Sequence, residues 1–283
     1  MAHSSDARGE NSIMDGNALS VFRENMRRKY QEIYVVIAPP RCSSTAFARV
    51  FWEHPDINFY CHEPFDQIYY KHASLIDVLK TLDSPLDLEP IKRQASIQHH
   101  RLVVKEMTFQ VGEYFPVLQS LATQPLVFLI RNPLLSIQSR MQKLQEGGND
   151  PLFPYRESGW GDLLAQVMQC RQLQIPYLIV DSADFRNFPS AILQKVFIRL
   201  GLSFAESLLR WQSLTGIALG KLDGEQAHWY QRVLSSTSIE PANEPVPEIT
   251  SFPERGNFRE HVCECLRTYE LLREDPRRIV PYD

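Results

Sequence analysis

Apolar runs of strand length alternate along the chain with stretches whose apolar residues recur at helical spacing. Ile33-Tyr-Val-Val-Ile-Ala38 is β-branched and uninterrupted, which predicts a strand buried on both faces of a parallel sheet. Further strands are predicted at Asn58 to Cys61, Arg101 to Lys105, Leu126 to Arg131 and Tyr177 to Val180. Helical patterns fill the intervals: Ser44 to Glu53, Leu75 to Leu82, Val111 to Leu121, Leu134 to Gln145, Leu163 to Gln172 and Ala191 to Leu200. A last one covers Phe258 to Leu272. This alternation predicts an α/β fold of three layers, a central parallel sheet flanked by helices.

Residues 1–18 read as a flexible polar tail and residues 19–283 as a single domain. Two long irregular stretches interrupt the pattern. Residues 145–161 hold four Gly and two Pro, and residues 235–257 carry Pro241, Pro245, Pro247 and Pro253. Loops of that length inside a compact domain are often functional.

Composition narrows the class without identifying it. The chain has 283 residues, 43% hydrophobic and 23% charged, which is ordinary for a globular protein. The net charge of -4 argues against a general nucleic-acid binder, which needs a basic face. No stretch approaches the roughly 18 apolar residues that cross a bilayer, and the first residues lack the basic-then-apolar order of a secretory signal. The five cysteines, Cys42, Cys61, Cys170, Cys263 and Cys265, are scattered and odd in number, which suits reduced thiols in the cytoplasm. None forms a structural-zinc spacing with histidine, so no metal is expected.

The first predicted strand runs into Pro39-Pro40-Arg41-Cys42-Ser43-Ser44-Thr45 and then opens a helix. Free amides at a helix start, backed by the helix dipole, make an anion site. Ser43, Ser44 and Thr45 add hydroxyl donors, and Arg41 adds a planar cation suited to phosphate or sulfate. The alternative is an ordinary strand-to-helix turn with Ser44 as N-cap. The glycines and lysine of a nucleotide-hydrolase P-loop are missing. A second anion signal lies at the end of the fourth strand, Val127-Phe-Leu-Ile-Arg-Asn-Pro133, where Arg131 stands at a carboxyl end. Ser139 follows Arg131 by eight residues. An arginine there also fits a purely structural pairing with a carboxylate.

Pro40-Arg41-Cys42-Ser43-Ser44-Thr45 resembles the 5'-phosphosulfate loop of the PAPS-dependent sulfotransferases, of the cytosolic and bacterial small-molecule type. The cofactor of that family is 3'-phosphoadenosine 5'-phosphosulfate (PAPS), with the bisphosphate PAP as product and no metal required. By this resemblance, Arg41, Ser44 and Thr45 hold the 5'-phosphosulfate. Cys42 stands for the family's usual Ser and Ser43 for its Gly, which matters if that backbone adopts positive φ. The Arg-Asn-Pro opening resembles the family's 3'-phosphate motif, and implies that Arg131 and Ser139 contact that phosphate. Ser235-Ser-Thr-Ser-Ile239, with Thr237, resembles the hydroxyl-bearing loop brought to the adenine, and Arg255-Gly256-Asn257 a late loop that closes over the 3'-phosphate. The likeness extends over about residues 33–260 and implies the family's P-loop-like architecture.

Sulfuryl transfer needs a base for the acceptor's proton and cations for the leaving phosphate. Arg41 suits the second role, and Lys105, at the end of the third strand, would point towards the site. The family's Lys-x-His triplet reads Lys105-Glu106-Met107 here, so the histidine is absent. Some relatives use a glutamate beyond the second strand, a place that Glu63 fills in Tyr60-Cys61-His62-Glu63-Pro64-Phe65. Glu63 is the first choice of base, His62 the second and Glu106 the third. The implied activity is transfer to a hydroxyl or amine of a small molecule, with no nucleic-acid or membrane partner. Oligomeric state is not legible. Two alternatives stand: a small-molecule kinase of another P-loop family, and a sulfotransferase-like protein repurposed for cyclisation, elimination or ligand binding.

Overall fold

A computed structural model describes residues 16–92, 100–222 and 227–282. The expected tail up to residue 15 lies outside the described residues, and its last part, from residue 16, belongs instead to a helix, Gly16–Lys29. Seven strands form one sheet: β1 (Glu32–Ala38), β2 (Phe59–His62), β3 (Leu86–Asp87), β4 (Arg101–Met107), β5 (Leu126–Ile130), β6 (Tyr177–Asp181) and β7 (Arg278–Ile279). Their order is β3-β2-β4-β1-β5-β6-β7. Every pairing is parallel except that of β3 with β2. The two-residue strands β3 and β7 are too short to leave a periodic signal, and the sequence pattern predicts neither.

The period of two along each strand sorts side chains into two cores. Ile33, Val35 and Ile37 of β1 join Leu126, Phe128 and Ile130 of β5 on one face. Tyr34, Val36 and Ala38 join Val127 and Leu129 on the other. Helices Leu75–Asp83, Trp160–Gln172 and Phe258–Arg273 bury Leu79, Leu163 and Val262 in the first core. Helices Ser44–Glu53 and Pro189–Arg199 bury Phe51 and Val196 in the second. Both faces are thus covered, and the fold is a three-layer α/β arrangement.

The chain leaves β1 to build β2 and β4 on one side, then crosses to build β5 and β6 on the other. The crevice between the carboxyl ends of β1 and β5 is therefore the switch point where such sheets bind ligands. Register brings Ala38 level with Met107, His62 with Lys105, and Ile130 with Asp181, so the loops beyond them share one rim.

Three boundaries depart from expectation for identifiable reasons. Strand β4 runs on to Met107, which leaves Lys105 inside the sheet and fully buried. The predicted helix Val111–Leu121 is split, because Gly112 has φ 42 and separates Thr108–Val111 from Phe115–Leu121. A Cβ at Gly112 would run into the Arg156 guanidinium. Helix Ser44–Glu53 takes Ser43, not Ser44, as its N-cap, and the Ser43 side chain makes no capping bond.

Candidate active site

A cavity of about 310 Å³ opens at this rim, within the range of small-molecule sites. The loop after β1 forms its floor. Arg41 and Ser43 both have left-handed backbone, φ 63 and 61. Non-glycine residues adopt that region at a cost of about 1 kcal/mol or more each. The Ser182 hydroxyl donates to Ser43 Oγ at 2.8 Å, which helps hold the turn. Ser44 and Thr45, in the first helical turn, also line the cavity. Their amides belong to the set that a helix start leaves without intrahelical acceptors.

Arg41 reaches across the crevice. Its Nε donates to Ser139 Oγ at 3.1 Å and its Nη1 to the Trp229 carbonyl at 3.0 Å. Burial, then the neighbouring charges of Arg131, Arg140 and Arg232, lower its pKa to about 10, so the guanidinium stays charged at neutral pH. Arg131 is the first residue after β5, and its Nη1 donates to the Arg41 carbonyl at 2.9 Å. Asn132 caps the helix Pro133–Glu146 that presents Ser139. The structure thus brings Arg41, Ser43, Ser44, Thr45, Arg131 and Ser139 to one cavity.

Three other candidates stand elsewhere. Cys42 is fully buried in the second core, with its thiol pushed up to about 12 by burial. Thr237 is not in the cavity wall; its carbonyl accepts from the Trp211 amide at 3.0 Å, and its neighbours Ser236 and Ser238 take the wall positions. Arg255 is exposed and pairs with Asp150 at 3.3 Å, also outside the wall.

The opposite wall carries acid–base groups. Glu63 sits just past β2 with φ 44, its amide donating to the Lys105 carbonyl at 2.7 Å. Its carboxylate accepts from Lys105 Nζ and, at 3.1 Å, from Gln110 Nε2. Burial pushes the Glu63 pKa up, but the Lys105 charge and these hydrogen bonds outweigh it and hold the carboxyl below its ordinary value. Burial lowers His62 to about 4, so its ring is neutral. Tyr60 keeps its phenol proton because burial raises its pKa, and its hydroxyl lies 2.6 Å from His62 Nδ1. The ionised Glu63 carboxylate only accepts, and its Oε1 faces His62 Nε2 at 3.4 Å, so the imidazole proton is placed on Nε2 and Nδ1 accepts from Tyr60. Glu106 is fully buried, outside the cavity wall, and accepts the amides of Phe65 at 2.9 Å and Met107 at 2.6 Å. Burial and the Glu63 charge hold its pKa well above the ordinary value. It anchors the turn that carries Glu63.

Sequence reasoning passed over several wall residues. Asp66 follows Glu63 by three positions and lines the cavity; burial, then Glu63, raise its pKa to about 8. Its Oδ1 is buried with no hydrogen-bond partner among the described residues. The Glu-Pro-Phe-Asp spacing was the available signal. Arg140 directly follows Ser139, pairs with Glu157 and stacks 4.8 Å over Phe153. Arg186, Arg232 and Glu244 complete the polar rim, and no motif announced them. Two carboxylates with opposed pKa shifts on one wall, facing a cationic crevice on the other, can move a proton beside a bound anion.

The family model for a sulfotransferase domain matches residues 33–253. Among curated proteins, no sequence matches the chain. Among solved structures, the sulfotransferase domain of the Synechococcus olefin synthase is 16% identical, over 86% of this chain and 96% of that one, with a TM-score of 0.48. The sulfotransferase domain from the curacin biosynthetic pathway is 15% identical, over 86% and 98%, with a TM-score of 0.48. A mouse sulfotransferase, SULT7A1, complexed with PAP, is 14% identical over 89% and 91%, again with a TM-score of 0.48.

Proposed function

The chain belongs to the sulfotransferase-domain family, and on that premise we propose that it moves a sulfuryl group from PAPS to a hydroxyl or amine of a small molecule. One observation carries this reading: Arg41, Ser139 and Arg131, drawn from two strand ends, are joined by hydrogen bonds of 3.1 and 2.9 Å on a single cavity wall. The donor set fits a nucleotide bearing two anionic ends, being made of guanidinium groups, hydroxyls and helix-start amides. Arg41, Ser44 and Thr45 would hold the 5'-phosphosulfate, and Arg131 with Ser139 the 3'-phosphate. When bound, PAPS supplies the sulfuryl group, and PAP is what remains. Arg41 and the loop amides are suited to hold the charge that grows on the phosphate side.

Glu63 takes the acceptor's proton. It lines the cavity and stays ionised through Lys105 and Gln110. Lys105 acts through Glu63 and is a positioning residue. His62, neutral and with its Nε2 proton towards Glu63, steadies the same carboxylate. No helix among the described residues is long and apolar enough to cross a membrane. A cytoplasmic home belongs to the same proposal, supported by five free cysteines, four of them buried. So does a single-domain organisation, supported by β7, near the C-terminus, joining the same sheet as β1.

Calorimetry with PAP and with ATP-Mg²⁺, then mass spectrometry of acceptor mixtures given PAPS, tests the reading. Tight PAP binding and a product heavier by one sulfuryl group are expected. Binding of ATP-Mg²⁺ with none of PAP would overturn it in favour of the kinase alternative. PAP binding with no transfer to any acceptor would favour the repurposed one.

A further inference from the structure

Arg131 directly follows β5, Arg186 lies in the short helix Ser182–Asn187 that follows the neighbouring strand β6, and both line the cavity. Their side chains are each 11% exposed and converge on one carboxylate. Glu244 Oε1 lies 2.8 Å from Arg186 Nη1 and 3.5 Å from Arg131 Nη2, and its Oε2 lies 3.1 Å from Arg186 Nη1. The remaining donors of Arg186 are committed elsewhere: Nε to the Glu240 carbonyl at 2.8 Å and Nη2 to the Pro241 carbonyl at 2.6 Å. Asn187, next on the same helix, accepts the Ala242 amide at 2.9 Å. Residues 240–242 are therefore strapped down through their backbone, whereas residue 244 is held through its side chain, 40% exposed and bonded to Arg186 Nη1.

Two guanidinium groups of like charge repel each other unless an anion lies between them. Here the anion is a carboxylate of the same chain, at the place where the proposed function puts a phosphate. A phosphate carries more charge than a carboxylate and offers three acceptor oxygens, so it competes well for the same donors.

We propose that Arg186 is a second guanidinium of the 3'-phosphate end of the nucleotide site, and that the Glu244 carboxylate is its resident counter-ion, displaced by the incoming phosphate. Of the Arg186 groups only Nη1 changes partner on this account, together with Arg131 Nη2; the two carbonyl bonds of Arg186 keep the strap in place. The inference rests on the proposed function, which makes Arg131 the 3'-phosphate arginine.

Calorimetry of the purified chain compares PAP with AMP, which lacks the 3'-phosphate, for wild type, Arg186→Gln and Glu244→Gln. Arg186→Gln is expected to weaken PAP by about tenfold or more and AMP by less than about twofold, the range of one charge-assisted bond lost. Glu244→Gln is expected to tighten PAP by about fivefold or more, since a competing anion is removed. PAP affinity unchanged in both variants would overturn the inference while leaving the proposed function intact. Equal weakening of PAP and AMP by Arg186→Gln would also overturn it, by assigning Arg186 to the strap alone. Failure of the wild-type chain to bind PAP removes the proposed function, and this inference with it.

Discussion

Lys105 and Glu63 form an ion pair at the cavity wall, the lysine fully enclosed behind a carboxylate that lines the cavity, their side chains 0% and 7% exposed. The pair exists because β4 continues past Lys105 while β2 ends at His62, so that a lysine inside the sheet meets the first residue of a turn. Charges buried this way are held by mutual neutralisation, and removal of one partner strands the other.

Lys105→Met is therefore expected to destabilise the fold by about 3–5 kcal/mol in urea denaturation near neutral pH. The double variant Lys105→Met with Glu63→Gln should recover at least half of that loss. If the double variant is as unstable as the single one, the pair is not the source of the effect.

Removing the base separates chemistry from binding. Glu63→Gln should lower sulfuryl transfer by about 10²-fold or more, the usual weight of a general base, with PAP affinity within about threefold of wild type. His62→Ala should act more mildly, since a neutral ring with its proton towards Glu63 supports the carboxylate and takes no proton itself. Near wild-type turnover in Glu63→Gln, with loss in His62→Ala, would reverse these roles.

Asp66 makes stability fall with rising pH. Its folded pKa, about 8, lies above the ordinary 3.8. Between those values the folded chain binds a proton that the unfolded chain has lost, so this contribution is complete at low pH and lost as pH rises towards 8. Asp66→Asn should be more stable than wild type by on the order of 5 kcal/mol at pH 8, with the gain closing below pH 4. A series of urea transitions checks this, and a gain independent of pH would count against it.

The strained turn offers a paired comparison. Ser43→Ala and Ser43→Gly both lose the hydrogen bond from Ser182, but only glycine relieves the backbone at φ 61. Ser43→Gly is expected to be the more stable by about 1 kcal/mol, read from thermal or urea unfolding. Equal stability of the two would mean that the turn carries no strain.

Legibility tracked the range of the signal. Ile33 to Ala38 and Leu126 to Ile130 announce buried parallel strands in their own composition, and the anion loop between Pro39 and Thr45 is one contiguous segment. The fold class and the cationic wall were therefore readable from short windows. Thr237 and Arg255 were placed by likeness to loops whose course nothing local determines, and both fall outside the cavity wall. Arg186 and Glu244 are 58 positions apart and meet only through tertiary folding. Lys105 needed the true end of its strand, and strand ends are set by neighbouring strands as much as by local preference.

Gly159 limits how this chain can diverge. Its φ is 76, the Thr108 hydroxyl donates to its carbonyl at 2.7 Å, and a Cβ there would come within 3.1 Å of the Pro39 backbone. The segment after Glu146 is thus pinned at its far end directly against the anion loop. Length changes near residues 147–150 would be absorbed in exposed chain, whereas an insertion at 157–160 would press on Pro39 and Pro40.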